Sequence, residues 1–465
     1  MTAPPGPHPH LPPLAGGTTG ATALRPLLDT VLDALTTGAR ARSGPLPPGG
    51  PDTVTERLTT TLGSDLLPSH GTGDHEALHT LVHALAEGAA DPADPRCLAH
   101  LHCPPLAVAA AADLAASSLN PSLDSWDQAP AATALETLLT RTLARELYDT
   151  PHPDALTTTG GTEANQLALL LAREHHGPVT LVHGANAHHS LPRAAWLLGL
   201  PTPLTLPTPH GTLDPATLDD ALTRHPGPTL VAATAGTTDA GLIDPLPAIA
   251  AVCARHHTPL HVDAAYGGLL TLSPRHRHLL DGLQHAHTIT LDLHKLGWQP
   301  AAAGLLAVPD HRQLTPLHHQ ADYLNATDDT EAGLPDLLGR SLRTTRRADV
   351  LKTAVTLRAL GRTGLADLID RTLATARTLA DLIDAHPRFE LHAHPTISTV
   401  LFRPTGLPDP AVAELRRTLL HDGRAVLGRT TADGRLWLKA TLLNPHTTTD
   451  DLTHLLTLLE GSTHR

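Results

Sequence analysis

PTLVAATAG (228–236), PLPAIAAVCARHH (245–257), TPLHVDAA (258–265) and HTITLDLH (287–294) are the stretch that decides the fold. The first, third and fourth segments are short apolar runs with little polar alternation, the pattern of strands buried on both faces. The second carries its apolar residues at helical spacing. Strand, helix and strand in alternation predict an α/β domain around a mostly parallel sheet. The same texture extends upstream through NQLALLLAREHH (165–176), PVTLVHG (178–184) and DPATLDDALTRH (214–225). Downstream, ADVLKTAVTLRAL (348–360) and ADLIDRTLATARTLADLIDAH (366–386) read as a long helical region. It leads to the strand-like pieces STVLFRP (398–404) and RLWLKATLL (435–443), which suggest a smaller closing α/β unit. Before the alternation, LRPLLDTVLDALTTGA (24–39) and HEALHTLVHALAEGA (75–89) place Leu at i, i+3 and i+4. SGPLPPGGPDT (43–53) between them reads as a loop, and the Pro/Gly/His-rich residues 1 to about 20 as disordered. The expected layout is an N-terminal tail and helical segment over 1–105, a large α/β domain over 106–352 and a small α/β domain over 353–465.

Composition narrows the function. The 465 residues carry a net charge of −13, which argues against a general nucleic-acid binder. The longest apolar run, Leu106 to Leu119, is interrupted by Asp113 and falls short of the roughly 18 residues of a membrane span. The N-terminus has neither a cationic start nor an apolar core, so no secretory signal is visible. Cys97, Cys103 and Cys253 are too few for a disulfide framework, and a reducing cytoplasm is expected. The 34 histidines show no fixed ligand spacing, and no metal site is expected. Aromatic residues are only 2% of the chain, so Leu, Val, Ile and Ala must fill the core. Only three lysines occur, Lys295, Lys352 and Lys439, which makes each worth inspecting.

Open α/β sheets bind ligands beyond the C-terminal ends of their strands, and four segments fall there. In TTTGGTEANQLALLLAR (157–173), Gly160 and Gly161 allow close backbone approach and Thr162 opens a helix. Free N–H groups and a hydroxyl make a phosphate cradle there, although an ordinary capped helix reads the same way. In HGANAHHSLPRAAWLLGL (183–200), His188 and His189 lie between strand and helix, where surface histidines are also common. In HVDAAYGG (261–268), Asp263 ends a buried strand among small residues that leave room for something flat. A carboxylate in that setting needs a cationic or hydrogen-bonding partner, such as a protonated ring nitrogen; an N-cap is the plainer alternative. In TITLDLHKLGWQP (288–300), Lys295 follows another buried strand, beside Asp292 and His294. A poorly solvated amine can form a Schiff base with an aldehyde, whereas a surface lysine would only snorkel. A phosphate cradle, a stacking ring, an acid for a ring nitrogen and an amine for an aldehyde together match the needs of pyridoxal phosphate.

The chain resembles the pyridoxal-phosphate-dependent group II amino-acid decarboxylases from about Asp94 to its end. The likeness runs in order through RCLAHLHCPP, NPSLDSWDQAPAATALE, TTGGTEANQLALLLAR, HVDAAYGG, DLHK with QP after it, ADYLN, SLRTTRRADVLK and LKATLLNPHTTTDDL. SLDSWDQAPAAT and the D-x-H-K-x-x-x-Q-P spacing look most like the bacterial 2,4-diaminobutyrate and siderophore-type lysine decarboxylase branch. The resemblance implies the fold type I architecture of the aspartate-aminotransferase kind, a homodimer and decarboxylation of an L-amino acid. The implied substrate is a diamino acid, 2,4-diaminobutyrate first and lysine or ornithine next.

Residue by residue, it implies that Lys295 holds the cofactor covalently and that Asp263 pairs with the pyridine nitrogen. His188 would stack on the ring, and Gly161, Thr162, Asp292 and His294 would hold the phosphate. Thr237 would contact the side of the ring substituents, and Cys103 falls where relatives contact the substrate or the neighbouring cofactor across a dimer interface. The family usually has aromatic residues after the lysine and Phe after Arg-Arg; here Leu296, Gly297 and Ala348 stand there. The segment Glu331 to Thr345 lacks the Tyr that serves as proton donor in some relatives. Tyr323 lies just upstream but need not reach the site, and His188 or a water is the alternative donor. Transamination, oxidative deamination, aromatic substrates and a catalytically silent binding protein are the competing outcomes on this fold.

Overall fold

The computed structural model describes residues 11–63, 66–321 and 323–462. Among them, seven strands form one sheet: β1 Asp154–Thr158, β2 Thr180–Gly184, β3 Leu204–Leu206, β4 Thr229–Thr234, β5 Leu260–Asp263, β6 Thr288–Asp292 and β7 Gly304–Val308. Their order is β1-β7-β6-β5-β4-β2-β3. From β3 to β6 all neighbours are parallel, whereas β7 runs antiparallel to both β6 and β1. Strands β2, β4, β5, β6 and β7 are buried along their whole length. That explains why they read as unbroken apolar runs: helices cover both faces and neither face needs a polar residue. Each fully buried Leu or Val contributes about 1.5–3 kcal/mol. With so few aromatics, Leu and Val carry the core that runs through β2, β4, β5 and β6.

A second sheet has the order β10-β11-β9-β8, from β8 Phe389–Leu391, β9 Thr399–Pro404, β10 Gly428–Ala432 and β11 Arg435–Thr441. It is antiparallel throughout. Its own core joins Phe389, Phe402 and Leu438 to Ile383 and Leu455 on flanking helices, and takes in Leu98 from far upstream. The expected boundary at 352/353 lies inside the helix Val350–Asp384, whose backbone breaks at Gly361 with φ +62°. The two cores meet near the lysine turn. Trp298 is fully buried, and its Nε1 donates to the Leu443 carbonyl at 2.8 Å.

Five helices precede the sheets among the described residues, and the first three are Gly20–Arg42, Gly50–Leu62 and Asp74–Gly88. The second begins within the stretch read as a loop, because Gly49 and Gly50 lead into Pro51 in the first helical turn, where proline is tolerated. Gly38 of the first helix approaches the third so closely that a Cβ there would lie 2.6 Å from the His83 carbonyl. Leu32, Leu35, Leu58, Leu81 and Leu85 of these helices remain exposed. The disorder expected for residues 1 to about 20 falls partly on residues 1–10, which lie outside the described residues; residues 11–19 form no helix or strand. No helix among the described residues is long and apolar enough to cross a membrane.

Candidate active site

The parallel strands deliver their C-terminal ends to one edge, and a cavity of about 270 Å³ opens there. From the end of β1 come Gly160, Gly161 and Thr162; from beyond β2, His188; from beyond β4, Gly236 and Thr238. β5 contributes Asp263 and Ala265, and β6 contributes Asp292, His294 and Lys295. Because β7 runs the other way, its first residue, Gly304, lies at this edge too. A Cβ at Gly304 would stand 2.5 Å from Gly160 Cα, so only glycine permits that approach. Gly160 itself has φ +151°.

The helix Gly161–His176 points its N-terminus at the cavity, with first-turn N–H groups that have no partner within a helix. Glu163 folds back to accept from the Thr159 N–H at 2.6 Å. A Cβ on Gly160 would lie 2.8 Å from His294 Cε1, and one on Gly161 would lie 3.1 Å from Ala265 Cβ. The cradle therefore suits bare backbone against a small anion. His294 is fixed by its Nδ1, 2.8 Å from the Ala303 carbonyl.

Lys295 Nζ lies 2.9 Å from Asp292 Oδ2. Asp292 is buried, and its Oδ1 has no hydrogen-bond partner among the described residues. The sequence reading gave Asp292 to the phosphate. Its carboxylate is instead the counter-charge of Lys295, and a carboxylate repels an anion. At this end of the cavity the helix N-terminus, Thr162 and His294 are the groups whose chemistry suits an anion.

Asp263 is buried at the end of β5, in the middle of the sheet. Its Oδ2 accepts from Asn165 Nδ2 at 2.8 Å and its Oδ1 from the Ala265 N–H at 3.1 Å. His188 is half-buried, and its Nδ1 sits 2.8 Å from Ser190 Oγ. Burial lowers its pKa from the ordinary imidazole value, with Asp263 pulling the other way. His188 therefore presents a neutral, flat face near neutral pH.

Seven of the expected residues line this one cavity: Gly161, Thr162, His188, Asp263, Asp292, His294 and Lys295. Three do not. Thr237 turns away, and its Oγ1 accepts from the Leu242 N–H at 3.0 Å, while its neighbours Gly236 and Thr238 face in. Cys103 lies behind the lysine turn, where its thiol donates to the His294 carbonyl at 3.2 Å. Burial pushes that thiol up to about 12, which disfavours the reactive thiolate. Tyr323 is 83% exposed and does not line the cavity.

Residues not expected also matter. Asn165, Ser190, His261 and Thr290 support Asp263 and His188 from behind. A polar Asn inside an apolar helix and a His inside an apolar strand were the available signals. Lys439, on β11, is buried, and its Nζ donates to the carbonyl of Thr238, a cavity residue, at 3.1 Å. No ion pair satisfies it among the described residues. Burial lowers its pKa, while Asp239 acts in the opposite sense. Among the described residues, no group of three or more His, Cys, Asp or Glu side chains is arranged to hold a metal ion.

Comparison with known proteins follows the geometry. Residues 73–405 match the pyridoxal-dependent decarboxylase conserved domain. An L-2,4-diaminobutyrate decarboxylase of Rhizobium meliloti (strain 1021) is 40% identical over 418 residues, covering 86% of this chain and 84% of that protein. An L-2,4-diaminobutyrate decarboxylase of Acinetobacter baumannii is 31% identical over 83% of each chain. The fold also superposes on the crystal structure of the glutamate decarboxylase domain of a diaminobutyrate-pyruvate transaminase and L-2,4-diaminobutyrate decarboxylase from Vibrio parahaemolyticus. That match has a TM-score of 0.87 at 31% identity and covers 97% of this chain and 98% of that one.

Proposed function

The chain belongs to the pyridoxal-dependent decarboxylase family, and from that premise we propose that it converts L-2,4-diaminobutyrate to the corresponding diamine and carbon dioxide, with lysine or ornithine as the next candidates. The observation that carries the substrate is the 40% identity, over 86% of the chain, to a protein of that name.

Pyridoxal phosphate, when bound, supplies an aldehyde that takes up amines and a ring that accepts the electrons left by departing carbon dioxide. The residues present fit it. The bare Gly160–Gly161 backbone, Thr162 and His294 suit the phosphate, and Lys295 is the only lysine that lines the cavity. Asp292 holds the Lys295 ammonium within the cavity and aims Nζ at it. Asp263 places a negative charge where a pyridine nitrogen would need a proton, and a neighbouring negative charge favours the protonated form. His188 lines the cavity and would offer its flat neutral face to a ring; the proton returned to the product would come from a transiently protonated His188 or from a water.

Lys439 has the chemistry to grip the substrate carboxylate. It is a buried cation one residue behind the cavity wall, bonded to the carbonyl of the lining residue Thr238, and it lacks an ion-pair partner among the described residues. A fixed cation there orients the bond that must break. Lys439→Met is expected to raise KM about tenfold, the value of one hydrogen bond to a charged group, with a smaller change in kcat. Steady-state kinetics with the diamino acid tests this; an unchanged KM would mean that Lys439 only braces β11.

We further propose a homodimer in a reducing, cytoplasmic setting. Exposed leucines on the three N-terminal helices are costly to leave in water, and a twofold interface would cover them isologously. Removing residues 1–90 is expected to abolish both dimer and activity, as read by light scattering and turnover. A fully active monomer at assay concentration would overturn this.

The reaction itself is tested by incubating the protein with a panel of L-amino acids and measuring carbon dioxide and amine together. Equal amounts from the diamino acid support the proposal. A keto acid or aldehyde in place of the amine would point to transamination or oxidative deamination.

A further inference from the structure

The acid and the imidazole that face the cavity are joined behind it by two side chains, Asn165 and Ser190. Asn165 is fully buried, and its amide touches four other side chains. Nδ2 lies 2.8 Å from Asp263 Oδ2 and 2.8 Å from Ser190 Oγ. Oδ1 lies 2.9 Å from His261 Nε2 and accepts from Thr290 Oγ1 at 2.9 Å.

The directions of these bonds follow from one constraint. A carboxylate only accepts, so the amide nitrogen must face Asp263 and the amide oxygen must face His261. His261 therefore carries its proton on Nε2, which leaves Nδ1 to accept from the Thr288 hydroxyl at 2.8 Å. Ser190 Oγ receives an N–H from Asn165, so its own proton is free to go to His188 Nδ1, 2.8 Å away. Each orientation fixes the next. His261 is also fully buried, and burial pushes its imidazole down to about 4 although Asp263 pulls the other way. A neutral His261 cannot act as a competing counter-ion, so the charge of Asp263 is reserved for the cavity.

We propose that Asn165 is a positioning residue for the cofactor: one amide, held by His261 and Thr290, fixes Asp263 and, through Ser190, His188 relative to each other. The acid must meet the edge of a flat ring while the imidazole covers its face, and a shared clamp sets that angle before the ring arrives. The inference rests on pyridoxal phosphate being the cofactor.

The test compares full-length holoenzyme with the variants Asn165→Asp, His261→Leu and His261→Gln. Two readouts are independent of turnover: the dissociation constant for pyridoxal phosphate, and the visible circular dichroism per bound cofactor, which reports a ring held at a fixed angle. Asn165→Asp removes the N–H donors to Asp263 and Ser190. It is expected to weaken cofactor binding about tenfold or more and to lose much of the dichroism. His261→Leu, which frees the Asn165 oxygen, is expected to shift both readouts in the same direction. His261→Gln, whose amide can donate to Asn165 Oδ1, is expected to restore both. Parent-like affinity and dichroism in both Asn165→Asp and His261→Leu would overturn the proposal. So would a His261→Gln variant as impaired as His261→Leu. If Asn165→Asp does not fold, the His261 pair decides alone. A parent protein that takes up no cofactor would overturn the cofactor assignment itself, a failure distinct from parent-like variants of a cofactor-loaded parent.

Discussion

Lys295→Ala is expected to lower turnover by about 10³-fold or more, because an enzyme that loses its covalent anchor retains only binding and orientation. No other amine can stand in. Lys352 is completely buried against Asp113, at 3.2 Å, and Lys439 is tied to the Thr238 carbonyl from β11. Borohydride should fix cofactor permanently to the parent protein and not to the variant. The substitution also strands Asp292, a buried carboxylate whose salt bridges are to Lys295 at 2.9 Å and, more distantly, His294 at 3.6 Å. Leaving such a group poorly partnered costs about 1–3 kcal/mol. The variant should therefore be measurably less stable to denaturant, and adding Asp292→Asn should recover stability but not turnover. That separation tells a lost anchor from a damaged fold. Near-parent turnover in Lys295→Ala would sink the catalytic reading altogether.

Strands β2, β4, β5 and β6 were legible because burial on both faces erases polar alternation and leaves an apolar run. β7, the GLLAV segment, escaped notice although it is equally buried. It begins at a glycine soon after the lysine turn, and nothing local signals that it reverses direction between β6 and β1. The helix Gly50–Leu62 was hidden for the opposite reason: none of its residues is buried in this chain, so no apolar stripe marks it.

In the site, the residues found from sequence are those at strand ends, where chain order alone brings them to one edge. Orientation was not legible. Thr237 and Thr238 are adjacent, yet one hydroxyl caps a turn and the other residue faces the cavity. Cys103 lies close to the lysine turn but on its far side. Asn165 acts on a residue 98 positions away, and Lys439 on one 201 away. Such pairs exist only once the helix Gly161–His176 has packed on β5 and the second sheet has closed against the first.

Asp263→Ala is expected to slow carbon dioxide release by about 10²–10³-fold, the range lost when one preorganised charge partner is removed from an active site. The protein should stay folded, and borohydride should still fix the cofactor, because Lys295 and the phosphate cradle do not touch this carboxylate. The size of the effect follows from the surroundings. Asp263 ends a central strand, and its two oxygens are held by Asn165 and the Ala265 N–H. The other carboxylate in the cavity, Asp292, is engaged by Lys295 and cannot take over. Without Asp263 the cavity would offer no free carboxylate to keep a pyridine nitrogen protonated, and a bound ring would then be a shallower sink for electrons. Asp263→Asn separates charge from shape. It keeps the volume but not the charge, and it sets an amide against Asn165, so it should be slowed nearly as much as the alanine variant. If both variants keep the parent rate, the carboxylate does no more than cap the turn at Ala265. If alanine is slow and asparagine is fast, the hydrogen bond rather than the charge carries the effect. Only a loss in both, with the cofactor still fixed by borohydride, assigns the role to the negative charge at the end of β5.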